Sequence, residues 1–276
     1  MALLQVNFIS GCLMRTTTMN VILPVDKVDF SGVLQTRTEP FPTLYLLHGM
    51  LGNYTDWVSG TLLQRWAAEK NLAVVMPSGD NKHFVDLPAV GDFYGEFIGR
   101  ELVEVTRRMF PLSHKREETF IGGLSMGGYG ALRNGLKYHE TFGAIAALST
   151  SPIIDTIPDA SEDDPFPIRR RSYLQAILGD LDAAQKGDLN PHVLLRQIPK
   201  EELPRIYLAC GTEDTLLPTT RKLRDTMIEV GADLTYVEAP GAHEWDFWNS
   251  QIKKVLDWLP LGEAKAGAGS GNVGIP

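Results

Sequence analysis

Short, wholly apolar runs alternate along the chain with longer stretches in which apolar residues recur every three or four positions. Residues 3–9 and 16–23 read as two strands able to pair antiparallel. Residues 43–47 and 72–76 are apolar at nearly every position, as strands covered on both faces are, with a helix at 62–70 between them. Over 92–110, Phe93, Phe97, Val105 and Met109 fall near helical spacing and Pro111 marks the end. The pattern predicts further strands at 119–122, 144–148, 205–209 and 234–238. Further helices are expected at 126–138, 218–230 and about 245–259. Strands that alternate with helices require right-handed crossovers. The expectation is one α/β domain over 1–261, with an about eight-stranded, mostly parallel sheet and helices on both faces.

Two segments break the rhythm. Residues 150–204 lie between two sheet strands and hold an acidic run from Asp155 to Asp164, two prolines, and Arg169-Arg170-Arg171. Structureless loops of this length are uncommon in compact domains, so a partial cap is expected there. The Gly- and Ala-rich tail, 262–276, is expected to be disordered.

Composition narrows the function classes. The formal charge of −8 disfavours phosphate backbones and anionic lipid surfaces, so neither nucleic acid nor a membrane is expected as partner. Two cysteines, Cys12 and Cys210, far apart, indicate neither a disulfide framework nor a multi-cysteine metal site, and point to the cytoplasm. Ile9-Ser10-Gly11-Cys12 looks like a lipoprotein cleavage box. No Lys or Arg precedes it, however, and Gln5 and Asn7 interrupt the apolar run, so an edge strand with a buried thiol is the expectation. A homo-oligomer remains open.

The chemistry enters at Gly122-Gly123-Leu124-Ser125-Met126-Gly127-Gly128. Gly123, Ser125 and Gly127 satisfy Gly-x-Ser-x-Gly between an expected strand and an expected helix. On such a sharp turn the serine is lifted clear of the sheet and sits at a helix N-terminus, where amides favour negative charge. A phosphate loop is disfavoured, since the Lys-Ser/Thr ending is missing. A serine nucleophile needs a base and an orienting acid, in the chain order Ser, Asp or Glu, His. After the strand at 205–209 comes Gly211-Thr212-Glu213-Asp214, and after that at 234–238 comes Gly241-Ala242-His243-Glu244-Trp245. Asp214 is the favoured acid, with Glu213 the alternative, and His243 the base. Two amides must also stabilise the oxyanion. One is that of Met126; the other comes from His48-Gly49-Met50-Leu51-Gly52, with Met50 favoured over Leu51. His48, Leu51, Tyr54, Trp57 and Trp245 are candidate substrate contacts, the aromatic ones equally candidates for the core.

These stretches, with Tyr45-Leu46-Leu47-His48-Gly49-Met50 and Ser125-Met126-Gly127-Gly128-Tyr129-Gly130, resemble the esterase D-like branch of the α/β-hydrolases over about residues 3–260. Within it the chain looks most like bacterial tributyrin esterases, with S-formylglutathione hydrolases, feruloyl and acetylxylan esterases and mycolyl transferases as relatives. The resemblance implies the α/β-hydrolase fold and a carboxylesterase acting on short acyl esters without metal or organic cofactor. The S-formylglutathione hydrolases carry Ser-Gly-Leu in place of His48-Gly49-Met50 and Asp-His-Ser in place of Ala242-His243-Glu244, which lowers that reading. An acyltransferase would share every one of these residues, and a non-catalytic ligand-binding homologue would keep the fold.

Overall fold

In a computed structural model of the chain, which describes residues 1–28, 39–150 and 152–262, strands and helices alternate as the pattern predicts. β1 (Ala2–Ser10) and β2 (Arg15–Leu23) form an antiparallel hairpin at one edge. β3 (Thr43–Leu47) and β4 (Ala73–Pro77) follow, then a small ribbon of β5 (Asp86–Leu87) and β6 (Asp92–Phe93). β7 (Thr119–Leu124), β8 (Ala144–Leu148), β9 (Arg205–Gly211) and β10 (Leu234–Ala239) complete an eight-stranded sheet in the order β1-β2-β4-β3-β7-β8-β9-β10. Pairing is antiparallel where β2 meets β1 and β4, and parallel elsewhere in that sheet.

β3 explains why its run is apolar at nearly every position. Leu44 and Leu46 face a layer filled by Trp57 of α1 (Asp56–Gly60), by Leu63 and Trp66 of α2 (Leu63–Glu69), and by Phe247 and Ile252 of the closing helix, 245–258. Tyr45 and Leu47 face the other layer, with Leu102, Leu132, Leu136 and Leu223. Successive side chains point to opposite faces, and both faces are covered, so a polar group fits only where it finds a partner, as the Thr43 hydroxyl does on the Phe41 carbonyl at 3.1 Å. Each such side chain contributes roughly 2 kcal/mol on burial, and the sheet they fix is the platform from which the strand-end loops project.

The helix expected over 92–110 starts later and is phased differently. Asp92 and Phe93 pair with β5, and Asp92 is held by Arg15 at 2.5 Å. α3 (Tyr94–Glu96) then runs through a π-helical turn, residues 97–101, into α4 (Leu102–Met109). That wider turn holds one extra residue, so the buried face runs Phe97, Leu102, Thr106, while Met109 is 47% exposed. It also aims Glu101 at the hairpin turn, where its carboxylate accepts from the Ser10 hydroxyl at 2.5 Å and the Gly11 amide at 2.6 Å. Cys12 lies in that turn, half-buried, rather than in a strand; burial and the nearby Glu101 raise its pKa to about 12.

After β7 comes α5 (Met126–Lys137). Residues 152–204 carry 3₁₀ turns and three helices, α6 (Arg171–Leu178), α7 (Leu181–Lys186) and α8 (Pro191–Gln197). Asp180 and Asn190 cap α7 and α8 through their side chains. Ile154, Ile157, Leu174 and Ile177 pack on Val85, Leu87 and Tyr129, so this segment builds its own apolar cluster against the sheet domain. The last elements are α9 (Leu217–Glu229) and α10 (Trp245–Trp258). Among the described residues no helix is long and apolar enough to cross a membrane. The expected tail lies, from residue 263 on, outside the described residues.

Candidate active site

Ser125 occupies the turn between β7 and α5 with φ +53 and ψ −118, a backbone region that side-chain-bearing residues avoid. Its amide donates to the Leu148 carbonyl at 2.9 Å, and its carbonyl accepts from Tyr129 at 3.1 Å. The turn is this tight because the start of α5 presses on the end of β3: a β-carbon on Gly127 would strike the carbonyl oxygens of Leu47 and His48. Ser125 is thus held half-exposed at a helix N-terminus.

His243 comes from the loop between β10 and α10, and Asp214 from the loop after β9. The Ser125 Oγ and His243 Nε2 are 3.0 Å apart, and His243 Nδ1 and Asp214 Oδ2 are 2.9 Å apart. The Asp214 side chain is fully buried whereas that of His243 is 36% exposed, so the carboxylate is sheltered and the imidazole faces the solvent side. Burial pushes the Asp214 pKa up, but bonding to His243, to the Leu216 amide at 2.9 Å and to the Ser149 hydroxyl outweighs it, and the net shift is downward. Glu213 points elsewhere. It accepts from the Gly241 amide at 2.5 Å, and its own amide donates to the Gly241 carbonyl, which clasps the histidine loop where Gly241 takes φ +137.

The loop after β3 is framed by a second loop, residues 78–85. The Gly79 amide donates to His48 Nε2 at 2.9 Å, which fixes the tautomer, so His48 Nδ1–H donates to the Gly49 carbonyl at 2.7 Å. Gly52 N–H donates to the same carbonyl at 3.2 Å. In a trans peptide the carbonyl and the next N–H point in opposite directions, so pinning the Gly49 oxygen aims the Met50 amide the other way. Leu51, with φ +66, donates its amide to Asn81 Oδ1 at 2.8 Å. The Met50 and Met126 amides have no protein acceptor among the described residues. A β-carbon on Gly49 would come 3.6 Å from that of Ser125, so the two turns adjoin.

Two expected substrate contacts are corrected. His48 is 1% exposed and is the strut just described; burial lowers its pKa, which keeps it neutral. Trp57 is 1% exposed and donates its indole N–H to the Leu47 carbonyl at 3.0 Å, so it belongs to the core beneath β3. Leu51 is 85% exposed, Tyr54 is half-buried with its amide on Ser78 Oγ at 3.4 Å, and Trp245 is half-buried edge-on to Trp57. Sequence reasoning missed Asn81, Ser149 and Trp248. Trp248 stands edge-on to His243, ring centres 4.9 Å apart, and no spacing signal in the sequence links these three residues to the serine. Ser78, Asp80, His83 and Phe84 share the framing loop, and the last three take positive φ, as strained residues at sites do.

Four similarities bear on this arrangement. The model of a family described as "Putative esterase" matches residues 10–259. An acetyl esterase of Caldicellulosiruptor saccharolyticus is 42% identical over 261 residues, covering 94% of this chain and 98% of that protein. Among solved structures, the substrate-bound fluorophosphonate-binding serine hydrolase F of Staphylococcus aureus superposes with a TM-score of 0.81 at 28% identity, over 94% of this chain and 98% of that one. An S-formylglutathione hydrolase of the same organism reaches a TM-score of 0.78, at the same identity and coverage.

Proposed function

The chain belongs to the esterase family, and from that premise we propose that it is a serine carboxylesterase that hydrolyses short-chain acyl esters, acetyl to butyryl, through an acyl-enzyme on Ser125. The observation that carries the reading is the continuous file of Ser125 Oγ, His243 and Asp214, at 3.0 and 2.9 Å. His243 Nε2 takes the serine proton as Oγ attacks the ester carbonyl carbon. The oxygen of the tetrahedral intermediate gains its charge between the amides of Met50 and Met126, each worth about 3 kcal/mol at that step. The intermediate collapses, the alkoxide leaves with the proton from His243, and water repeats the cycle to free the acid. Asp214 holds the imidazole in the tautomer with Nδ1–H and stabilises the imidazolium. An acetyl esterase as a near-full-length relative supports the short acyl end of the range.

We read residues 1–261 as one domain in which 150–204 is a partial cap that sets the alcohol preference. The Tyr173 hydroxyl of α6, bonded to the Asn81 carbonyl at 3.1 Å, supports this, since it puts the segment against the framing loop. The likeness to an S-formylglutathione hydrolase favours a thioester of that kind as the second reading.

Replacing Ser125 by Ala is expected to abolish p-nitrophenol release from the acetate and butyrate esters while circular dichroism stays unchanged. Activity near the wild-type level would overturn the assignment. A panel from triacetin to tributyrin, run beside S-formylglutathione, separates the two substrate classes by kcat/KM, and added acceptor alcohols measure partition toward ester synthesis.

A further inference from the structure

Ser149 directly follows β8 at the same sheet edge as Ser125 and Asp214, and it is fully buried with φ +47. Its amide donates to the Ala209 carbonyl at 2.7 Å, which locks the backbone there. Glycine adopts this conformation freely, whereas a residue with a β-carbon costs about 1–2 kcal/mol in it. A serine placed there must return something through its side chain that glycine does not supply.

The hydroxyl has two partners. Its oxygen accepts from the Trp248 indole N–H at 3.0 Å. It also favours the charged form of the buried Asp214 carboxylate, whose hydrogen-bond donors are His243 Nδ1 on one oxygen and the Leu216 amide on the other. Trp248 stands at 90° to the His243 ring. One buried hydroxyl therefore holds the indole beside the imidazole and acts on the carboxylate behind it. We propose that Ser149 is a positioning residue of the catalytic centre, which holds Asp214 and Trp248 in register so that His243 keeps Nε2 on the Ser125 hydroxyl. The proposal rests on the reading of Ser125, His243 and Asp214 as the reacting file.

The backbone strain makes the test decisive. Ser149→Gly deletes the hydroxyl and relieves the strain, so it is expected to leave the melting temperature unchanged or raised, lower kcat for p-nitrophenyl acetate at least tenfold and keep KM within twofold. If Ser149 served only to satisfy the Trp248 indole, the same change would lower the melting temperature and spare kcat. That result, or a change confined to KM, overturns the proposal. Trp248→Phe keeps a ring against His243 and removes only the indole N–H. It is expected to lower kcat threefold or more, and if neither Ser149 variant, Gly or Ala, folds, full kcat in Trp248→Phe overturns the proposal by itself. Fluorophosphonate labelling of the wild type separates the two levels. An unlabelled Ser125 removes the esterase reading and this proposal with it; a labelled wild type with an unimpaired Ser149→Gly removes only this proposal.

Discussion

Two adjacent carboxylates illustrate how little separates a group that faces the imidazole from one that supports the backbone. Asp214 is buried and faces the imidazole, while Glu213 is exposed and clasps the backbone of the histidine loop. Asp214→Asn is expected to cut kcat by roughly 10³- to 10⁴-fold, because the amide no longer selects the Nδ1–H tautomer. Glu213→Gln should keep kcat within a few-fold, since an amide oxygen still accepts from Gly241; steady-state kinetics on p-nitrophenyl acetate compares the two. Sequence order was enough to locate both acids but not to rank their orientation, because neighbouring residues leave a strand-end turn in directions that only the turn geometry decides. His83 was legible only as a loop histidine. It is buried, both ring nitrogens lack a hydrogen-bond partner among the described residues, and burial lowers its pKa to about 4. The unfolded chain binds a proton at this ring near pH 6.5 and the folded chain only near 4, so native stability falls as pH drops through that window, by up to about 3 kcal/mol. Urea unfolding at pH 7 and pH 4 should show a smaller acid loss in His83→Leu than in the wild type.

At the scale of elements, the site consists of loops held by other loops. Residues 48–52 carry the Met50 amide, and residues 78–85 hold them through Gly79 on His48 and Asn81 on Leu51. Asn81→Ala removes the acceptor that fixes the peptide after Met50. It is expected to lower kcat about tenfold with a smaller change in KM, as loss of an aligned oxyanion donor does. Tyr173→Phe, which frees the α6 side of the same residue, should shift relative kcat/KM among alcohol leaving groups more than among acyl lengths. Strands and helices were readable from periodicity because both sheet faces and each helix stripe repeat with a fixed period. The π turn at 97–101 was not, since periodicity counts residues and assumes a constant number per turn. The contact of Asn81 with Leu51 was hidden for a different reason: it joins two irregular loops thirty residues apart, and irregular backbone leaves no repeating trace.

Across the whole molecule, the parallel sheet gathers the groups that the chain disperses. Ser125 and His243 are 118 residues apart in sequence, yet β7 and β10 end on the same edge with β9 delivering Asp214 between them. Strand alternation made this legible, because parallel strands joined by right-handed crossovers bring all their carboxyl ends together. What joins the histidine loop to the end of β3 was not legible. Trp248 leans edge-on against Trp245, ring centres 5.2 Å apart, and Trp245 against Trp57 at 5.6 Å, whose indole N–H anchors to Leu47 at the end of β3. A row of three indoles thus runs from His243 to the end of β3, the strand that residues 48–52 follow. An excited indole loses its energy to a neighbouring imidazolium more readily than to a neutral imidazole, and Trp248 stands edge-on to the imidazole of the proposed base. The light this protein emits on ultraviolet excitation should therefore report the charge of that ring, dimming in any state in which both His243 nitrogens carry a proton.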